Sequence, residues 1–303
     1  MSSRYIVRIF TLLAIVVFVV ASLWYITYMS RPSRSTAPTT RVGVMSIGSL
    51  KSTKITILVD NNPYNDLVAV WGLSVLIELP SGECLLFDCG PSPTALLENC
   101  KKLGIEIDRV RYIVLSHEHG DHVGGITALS SLSKSITVFV PNGFPLTLIH
   151  ELKSTGFRVT IVNSTYLITS GVAIVGPFRA GTLSEQVLVL NVSGVGLVVV
   201  TGCAHPGIEN IVTSISETLS ESIFLVVGGF HLVGADVVRL SKVAHTFEKL
   251  NVKYVVPIHC SGDRAREFLR SRLGNRVVLG HVGTYIEVSS KGITIKDLPP
   301  GVG

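Results

Sequence analysis

Apolar and polar residues are arranged along this chain in three regimes. From Ile9 to Met29 it reads IFTLLAIVVFVVASLWYITYM, 21 residues without a charged side chain. Residues 30–51, SRPSRSTAPTTRVGVMSIGSLK, are mixed and rich in Ser, Thr, Pro and Arg. From Lys54 onward, short β-branched runs alternate with segments of helical period.

The first regime is long enough to cross a bilayer, whose apolar core takes roughly 20 helical residues. Trp24, Tyr25 and Tyr28 gather at its far end, as interfacial aromatics do. A secretory signal would carry a shorter apolar stretch, about 7–15 residues, and a small-residue cleavage site. We therefore expect a short tail over 1–8, one uncleaved transmembrane helix over 9–29 with membrane lipid as its partner, and a linker over 30–51. Arg4 and Arg8 precede the span, and Arg31, Arg34 and Arg41 follow it. Positive residues favour the cytoplasmic side. The count tips towards a cytoplasmic main domain, but the amino terminus adds a charge on the other side.

In the third regime, strands are predicted at KITILVD (54–60), LSVLIEL (73–79) and CLLFDCG (84–90), then a helix over 91–104 that stops at Gly104. RYIVLS (111–116) and ITVFV (136–140) are strands, and LTLIHELKSTG (146–156) is a helix. The β segments FRVTIV, GVAIVG, QVLVLNV and GLVVVTG lead to Gly202. Helices over about 207–219, 236–250 and 263–273 enclose strands IFLVVGG (223–229) and YVVPIH (254–259). GTYIEVSS and GITIKDL close the chain as a hairpin. Strands apolar on both faces need cover on both, so the pattern predicts one α/β domain over 52–303 with αββα layering.

Charge alters the picture once it is located. The chain carries a net +5, yet residues 1–51 hold six Lys/Arg and no acid, leaving 20 basic against 21 acidic residues in 52–303. The main domain has no overall basic field, so no nucleic-acid partner is expected. The basic excess sits beside the apolar run, where it can meet anionic headgroups. The five cysteines, Cys84, Cys89, Cys100, Cys203 and Cys260, are odd in number and contain no CxxC, so no disulfide framework is indicated.

Four predicted strands end on histidine. RYIVLS runs into HEHGDH, GLVVVTG into CAHPG, IFLVVGG into FHL, and YVVPI into HCSG. The carboxyl edge of strands is where layered α/β folds bind ligands. His150, His245 and His281 lack this context and read as ordinary surface or core histidines. HEHGDH packs His117, His119, Asp121 and His122 into six residues. Imidazole and carboxylate suit zinc, and also iron or manganese. Four potential ligands on one loop exceed what a single open catalytic ion usually takes from it, so two divalent ions are expected. Gly120 is expected to let the loop turn, and Gly124-Gly125 to keep side chains away from the metals. Glu118 is expected to point to solvent.

HEHGDH fits the H-x-H-x-D-H signature and resembles the metallo-β-lactamase superfamily. FDCG resembles that superfamily's first motif and PIHCSG its last. The resemblance implies the four-layer αββα fold, Asp88 as a buttress of the metal loop, and His259 as a ligand of the second metal. The middle motifs depart from the family pattern. Between His122 and Cys203 the only histidine is His150, and Cys203 stands where the family's bridging Asp is usual. Either His205 supplies the missing imidazole, or Cys203 ligates as a thiolate, or both do; His205 is preferred. His231 is expected to donate a proton or touch substrate.

TILVDN, WGLSVLIE, TGCAHPGI, VGGFHL and HCSG are similar to the branch typified by dihydropterin–ribofuranosylaminobenzene phosphate synthase, associated with methanopterin biosynthesis. Two enzyme readings follow. One is a metal-dependent hydrolase of phosphorylated or ester-type small molecules, with Asp121 orienting the nucleophile. The other is the pterin transferase. A binding or sensing module that has lost turnover is a third, disfavoured by the intact HEHGDH and His259. The sequence leaves the oligomeric state open.

Overall fold

The structure is a computed structural model and describes residues 45–298. The expected tail, the transmembrane run 9–29 and most of the linker lie outside those residues. Among the described residues, no helix is long and apolar enough to cross a membrane.

Two sheets face each other. The larger has the order β14-β13-β1-β2-β3-β4-β5-β6. Its strands are β1 (Ser52–Val59), β2 (Ser74–Glu78), β3 (Cys84–Phe87), β4 (Val110–Val114), β5 (Thr137–Pro141), β6 (Arg158–Val162), β13 (Thr284–Ser289) and β14 (Gly292–Asp297). The smaller has the order β12-β11-β10-β9-β8-β7. It is built from β7 (Tyr166–Thr169), β8 (Val172–Ala180), β9 (Leu183–Val192), β10 (Gly196–Thr201), β11 (Ile223–Gly229) and β12 (Tyr254–Ile258). Hairpin-connected strands pair antiparallel, whereas β3-β4-β5-β6 and β10-β11-β12, joined by longer crossovers, pair parallel.

Three apolar layers follow from this arrangement. The middle one joins the facing sheets through Ile55, Ile77, Phe87 and Val114 from one side and Leu188, Val198, Val227 and Ile258 from the other. Outside the smaller sheet pack α4 (Ile208–Leu219), α5 (Val237–Lys249) and α6 (Asp263–Leu273). α1 (Pro93–Lys102) and α3 (Leu146–Ser154) cover the larger sheet. The expected αββα layering is present. In α4 the buried residues Ile208, Ile211, Val212, Ile215 and Leu219 recur at helical spacing, so one stripe faces the sheet. Removing a middle-layer side chain, as in Leu188→Ala, costs about 2–5 kcal/mol because the packed sheets cannot close on the cavity.

Element ends are set by local chemistry. The Ser92 hydroxyl accepts from the Ala95 amide at the start of α1, and Asp236 from the Arg239 amide at the start of α5. Gly104, at φ +65°, stands just past the end of α1.

Three features differ from expectation. Residues 45–51, read as linker, join the fold: Ile47 and Leu50 are buried, and Leu50 bridges to Val192. β7, whose side chains are largely exposed, was not anticipated because its apolar run, Tyr166 to Ile168, is only three residues long. A tight helical stretch over 124–135 follows the HEHGDH segment, where no element was predicted.

Candidate metal centre

The chemistry gathers at the carboxyl ends of the strands. After β4 come His117 and His119, then the short helix α2 (Gly120–Val123) carrying Asp121 and His122. Cys203 and His205 follow β10, His231 follows β11 and His259 follows β12. Asp88 follows β3, and Asp60 and Asn61 follow β1.

Four imidazoles share one pattern: Nδ1 is tied by an oxygen of a neighbour, which leaves Nε2 for something else. The buried Asp88 accepts from the Ser116 amide at 2.7 Å and from the Ser116 hydroxyl at 2.6 Å. With its proton so committed, the hydroxyl accepts from Nδ1 of His117 at 2.8 Å. Asp88 also accepts from Nδ1 of His122 at 2.7 Å. The His205 Nδ1 donates to Glu185 at 3.0 Å, and that of His259 to Asn61 Oδ1 at 3.1 Å. Such outer partners fix tautomer and ring orientation in metal sites.

The remaining ligand atoms converge. Those of His117, His119 and His205 lie within 4.8 Å of one another, as do those of Asp121, His122 and His259. Cys203 belongs to three further groups of that size, with His117 and His122, with His259 and Cys260, and with His205 and His231. Its Sγ is 3.2 Å from Nε2 of His122. The structure thus brings both His205 and Cys203 to the centre. The Cys203 thiol shares a group with histidines of both sets, so the geometry accommodates His205 and Cys203 alike.

The residues present fit divalent cations. His259 is fully buried, yet its Nε2 makes no hydrogen bond and lies 3.4 Å from Asp121 Oδ2. A buried polar atom without a partner costs about 1–3 kcal/mol, which a bound cation would recover. The set of imidazole, carboxylate and thiol suits zinc.

Electrostatics follow from burial and crowding. Burial, then the neighbouring histidines, holds His117 well below its ordinary value, so its ring is neutral and ready to ligate. Burial works against the charge on Asp121, but the His259 side chain and then His122 bring it down to about 2. Burial likewise opposes protonation of His122, but Asp88 and then Asp121 raise it. Cys203 is pushed up, first by its hydrogen bond to Cys260 and then by burial. Hydrogen bonds from Cys203 and His231 lower Cys260 despite its burial. His231 is raised, chiefly by its hydrogen bond to Cys260, and sits at the exposed rim.

The local backbone is strained where the site needs it. Asp88, Ala204, His231 and His259 have φ of +58°, +57°, +50° and +50°. This is an uncommon conformation for side chains other than glycine, and it clusters at functional sites. Two glycines permit the close approach of the strand ends. A Cβ on Gly202 would stand 2.1 Å from the Ser116 hydroxyl, and one on Gly229 2.3 Å from the Gly202 carbonyl.

Several expectations for the loop need correction. Gly120 does not make the turn; it opens α2, and a Cβ there would meet nothing within 4 Å. Gly124 and Gly125 are required by backbone, not by metals: their Cβ atoms would meet the carbonyls of Pro91 and Cys89 at 2.2 and 2.0 Å. Glu118 is only partly solvated, with Oε2 buried and without a partner. His150, His245 and His281 lie outside the cluster; His281 stacks on Tyr64 with ring centroids 4.3 Å apart.

Sequence reasoning missed Glu185, Asn61 and Trp71. A buried Glu185-Gln186 pair inside the apolar β9 was the available signal. Gln186 links the sheets by donating to the Leu115 and Phe139 carbonyls at 2.9 and 3.1 Å, directly below the metal loop.

The centre floors a cavity of about 590 Å³, lined by Trp71, His119, Asp121, Cys203, His205, His231, Val233, His259 and Cys260. A larger cavity of about 800 Å³, near Phe224, Tyr254 and Lys291, holds no histidine, cysteine or carboxylate.

Comparison with known proteins agrees with this geometry. Residues 72–214 match the metallo-beta-lactamase superfamily. The chain is 27% identical over 294 residues to the 7,8-dihydropterin-6-methyl-4-(beta-D-ribofuranosyl)-aminobenzene-5'-phosphate synthase of Methanocaldococcus jannaschii, covering 80% of this chain and 99% of that one. An uncharacterized protein of the same organism is 30% identical over 266 residues, covering 77% of this chain and all of its own length (100%). Among solved structures, a metal-dependent hydrolase of the beta-lactamase superfamily superposes with a TM-score of 0.66 at 30% identity, covering 78% of this chain and 99% of that one. Fold, strand-end histidines and relatives agree: the chain belongs to the metallo-beta-lactamase superfamily.

Proposed function

We propose that the chain is a hydrolase of a phosphorylated or ester-type small molecule, working with two divalent metal ions. His117, His119 and His205 would hold one ion, and Asp121, His122 and His259 the other, with the Cys203 thiol as a further donor within reach of histidines of both sets. The observation that carries this reading is the set of four imidazoles tied at Nδ1, with the orphaned Nε2 of His259 among them. Ions bound there would lower the pKa of a water to about 7 and offset charge developing on a phosphoryl or carbonyl oxygen. Zinc suits the donors best, and iron and manganese accept most of them.

The protein's own groups do the rest. Asp121, ionised above about pH 2, orients the attacking water, whose proton passes to bulk solvent. His231, at the rim and raised by Cys260, donates a proton to the leaving group. The strand ends hold the ligands rigidly, so little reorganisation is needed during reaction.

A second reading is favoured by the 27% identity to the M. jannaschii synthase. In it the same centre joins a dihydropterin-methyl diphosphate to an aryl amine carrying a ribosyl phosphate and expels diphosphate. One panel separates the two on the metal-loaded protein: phosphomonoester, phosphodiester, thioester and lactone substrates beside the pterin pair. Hydrolysis of a panel member supports the first reading, and turnover of the pterin pair alone replaces it with the second.

The apolar run 9–29 supports membrane anchoring of this enzyme; Arg31, Arg34 and Arg41 tip the count towards a cytoplasmic catalytic domain, and the amino-terminal charge on the other side offsets it. Recovery of the full chain from the soluble fraction, without detergent, would remove that part of the proposal.

A further inference from the structure

Trp71 is the only tryptophan after Trp24, and it does not behave as a core residue. It is 53% exposed, lines the metal-centre cavity, and its ring lies 4.8 Å from that of His259. Val233 borders the same cavity and is 62% exposed. Large apolar side chains left in water at the mouth of a polar site mark a surface that something else covers.

The main chain on either side of Trp71 is tied to the centre. The Val70 amide donates to the Asp60 carbonyl at 3.1 Å, and the Leu73 amide to the Asp121 carbonyl at 3.1 Å. Asp60 in turn accepts from the His259 amide at 2.8 Å. The main chain that carries the indole is therefore tied to both sides of the Asp121–His259 half of the centre. Gly72, at φ +155°, follows closely under Pro91 and the Asp121 carbonyl, where a Cβ would stand 2.5 and 2.6 Å from them. An aromatic side chain on a main chain already held in place has less freedom to lose on binding, which lowers the cost of the contact.

We propose that Trp71 is the specificity-determining platform of the site, and that the substrate carries a flat aryl or heteroaryl group beside its phosphoryl or ester group. The polar group meets the ligand cluster while the flat group lies on the indole, with Val233 at its edge. A cavity of about 590 Å³ holds a molecule of that size. This inference rests on the hydrolase reading for the polar end only.

The test uses the full chain carrying Trp24→Phe, so that Trp71 is the sole indole fluorophore, loaded with zinc. Phenylphosphonate and butylphosphonate are compared by calorimetry and by indole emission. Phenylphosphonate is expected to bind about tenfold tighter, as an aromatic contact of this kind gives, and to change the emission, which butylphosphonate leaves nearly unaltered. Trp71→Leu should erase the tenfold preference and Trp71→Phe restore most of it. Equal binding of the two phosphonates, or a preference that survives Trp71→Leu, overturns the platform and leaves the hydrolase reading standing. Binding of neither overturns both.

Discussion

The Glu185 carboxylate lies 3.0 Å from Nδ1 of His205 and accepts the His205 amide through the same oxygen at 2.8 Å. Its other oxygen accepts the amides of Cys203 and Ala204 at 2.9 and 2.7 Å. One buried side chain from β9 thus shapes the whole CAH turn and aims its imidazole.

Replacing Glu185 by Gln puts an amide NH₂ against N–H donors. We expect a loss of about 3 kcal/mol, the range for breaking a buried charged network, read from the urea midpoint of metal-free protein. Burial opposes the charge on Glu185, but the hydrogen bonds from His205 and the turn lower its pKa below the ordinary 4.5. Its stabilisation is therefore fully present above about pH 4.5 and is lost as pH falls through the lower folded value. The gap between parent and Glu185→Gln should be widest near neutrality and close in acid. A gap that widens in acid would contradict this assignment.

Gly202→Ala should act on the metal through the ties behind it. The added Cβ would press on the Ser116 hydroxyl, which joins Asp88 to His117. Metal affinity should fall about 10–100-fold, as it does when such outer partners are disturbed, with the circular dichroism of the folded domain retained. Unchanged affinity would mean the Asp88–Ser116–His117 chain does not position the ligand.

Cys203 and His205 are separable by metal content. His205→Ala should leave about one ion of the two expected from a two-metal site. Cys203→Ala should loosen both, because Sγ belongs to groups on either side. In cobalt-loaded protein, a near-ultraviolet thiolate-to-metal band should vanish in Cys203→Ala. A band that persists would return Cys203 to the role of a buried neighbour.

Metal uptake should depend on pH through His122. Burial opposes its protonation, yet Asp88 and then Asp121 hold its pKa above the ordinary 6.5 in the metal-free protein. Its stabilising contribution is complete below 6.5 and is lost as pH rises through the raised folded value. Ligation needs the neutral ring, so apparent affinity should rise across that same window, with proton release on loading. Chelator competition at several pH values measures this, and an affinity that falls with rising pH would contradict it.

Much of this was legible in the sequence because apolar runs and strand ends are local signals. IFLVVGG became β11 with the same bounds, and the helix over 263–273 became α6. HEHGDH, CAHPG, FHL and HCSG were found at strand ends, where the periodicity put them. The partners behind them were not legible. Asn61 meets His259 across 198 positions, and Glu185 meets His205 across 20, so neither pairing leaves a local pattern. The loop glycines were misread for a related reason. Their constraint comes from Pro91 and Cys89, far along the chain but adjacent in space.

A single titration tests whether hydrolysis at this centre depends on two metal ions. Chelator-stripped full chain is titrated with zinc while hydrolysis of a phosphodiester or ester that the protein accepts is followed. We expect no turnover without metal and a plateau at about two equivalents per chain. Turnover that persists after complete removal of metal, or protein that takes up none, would contradict it.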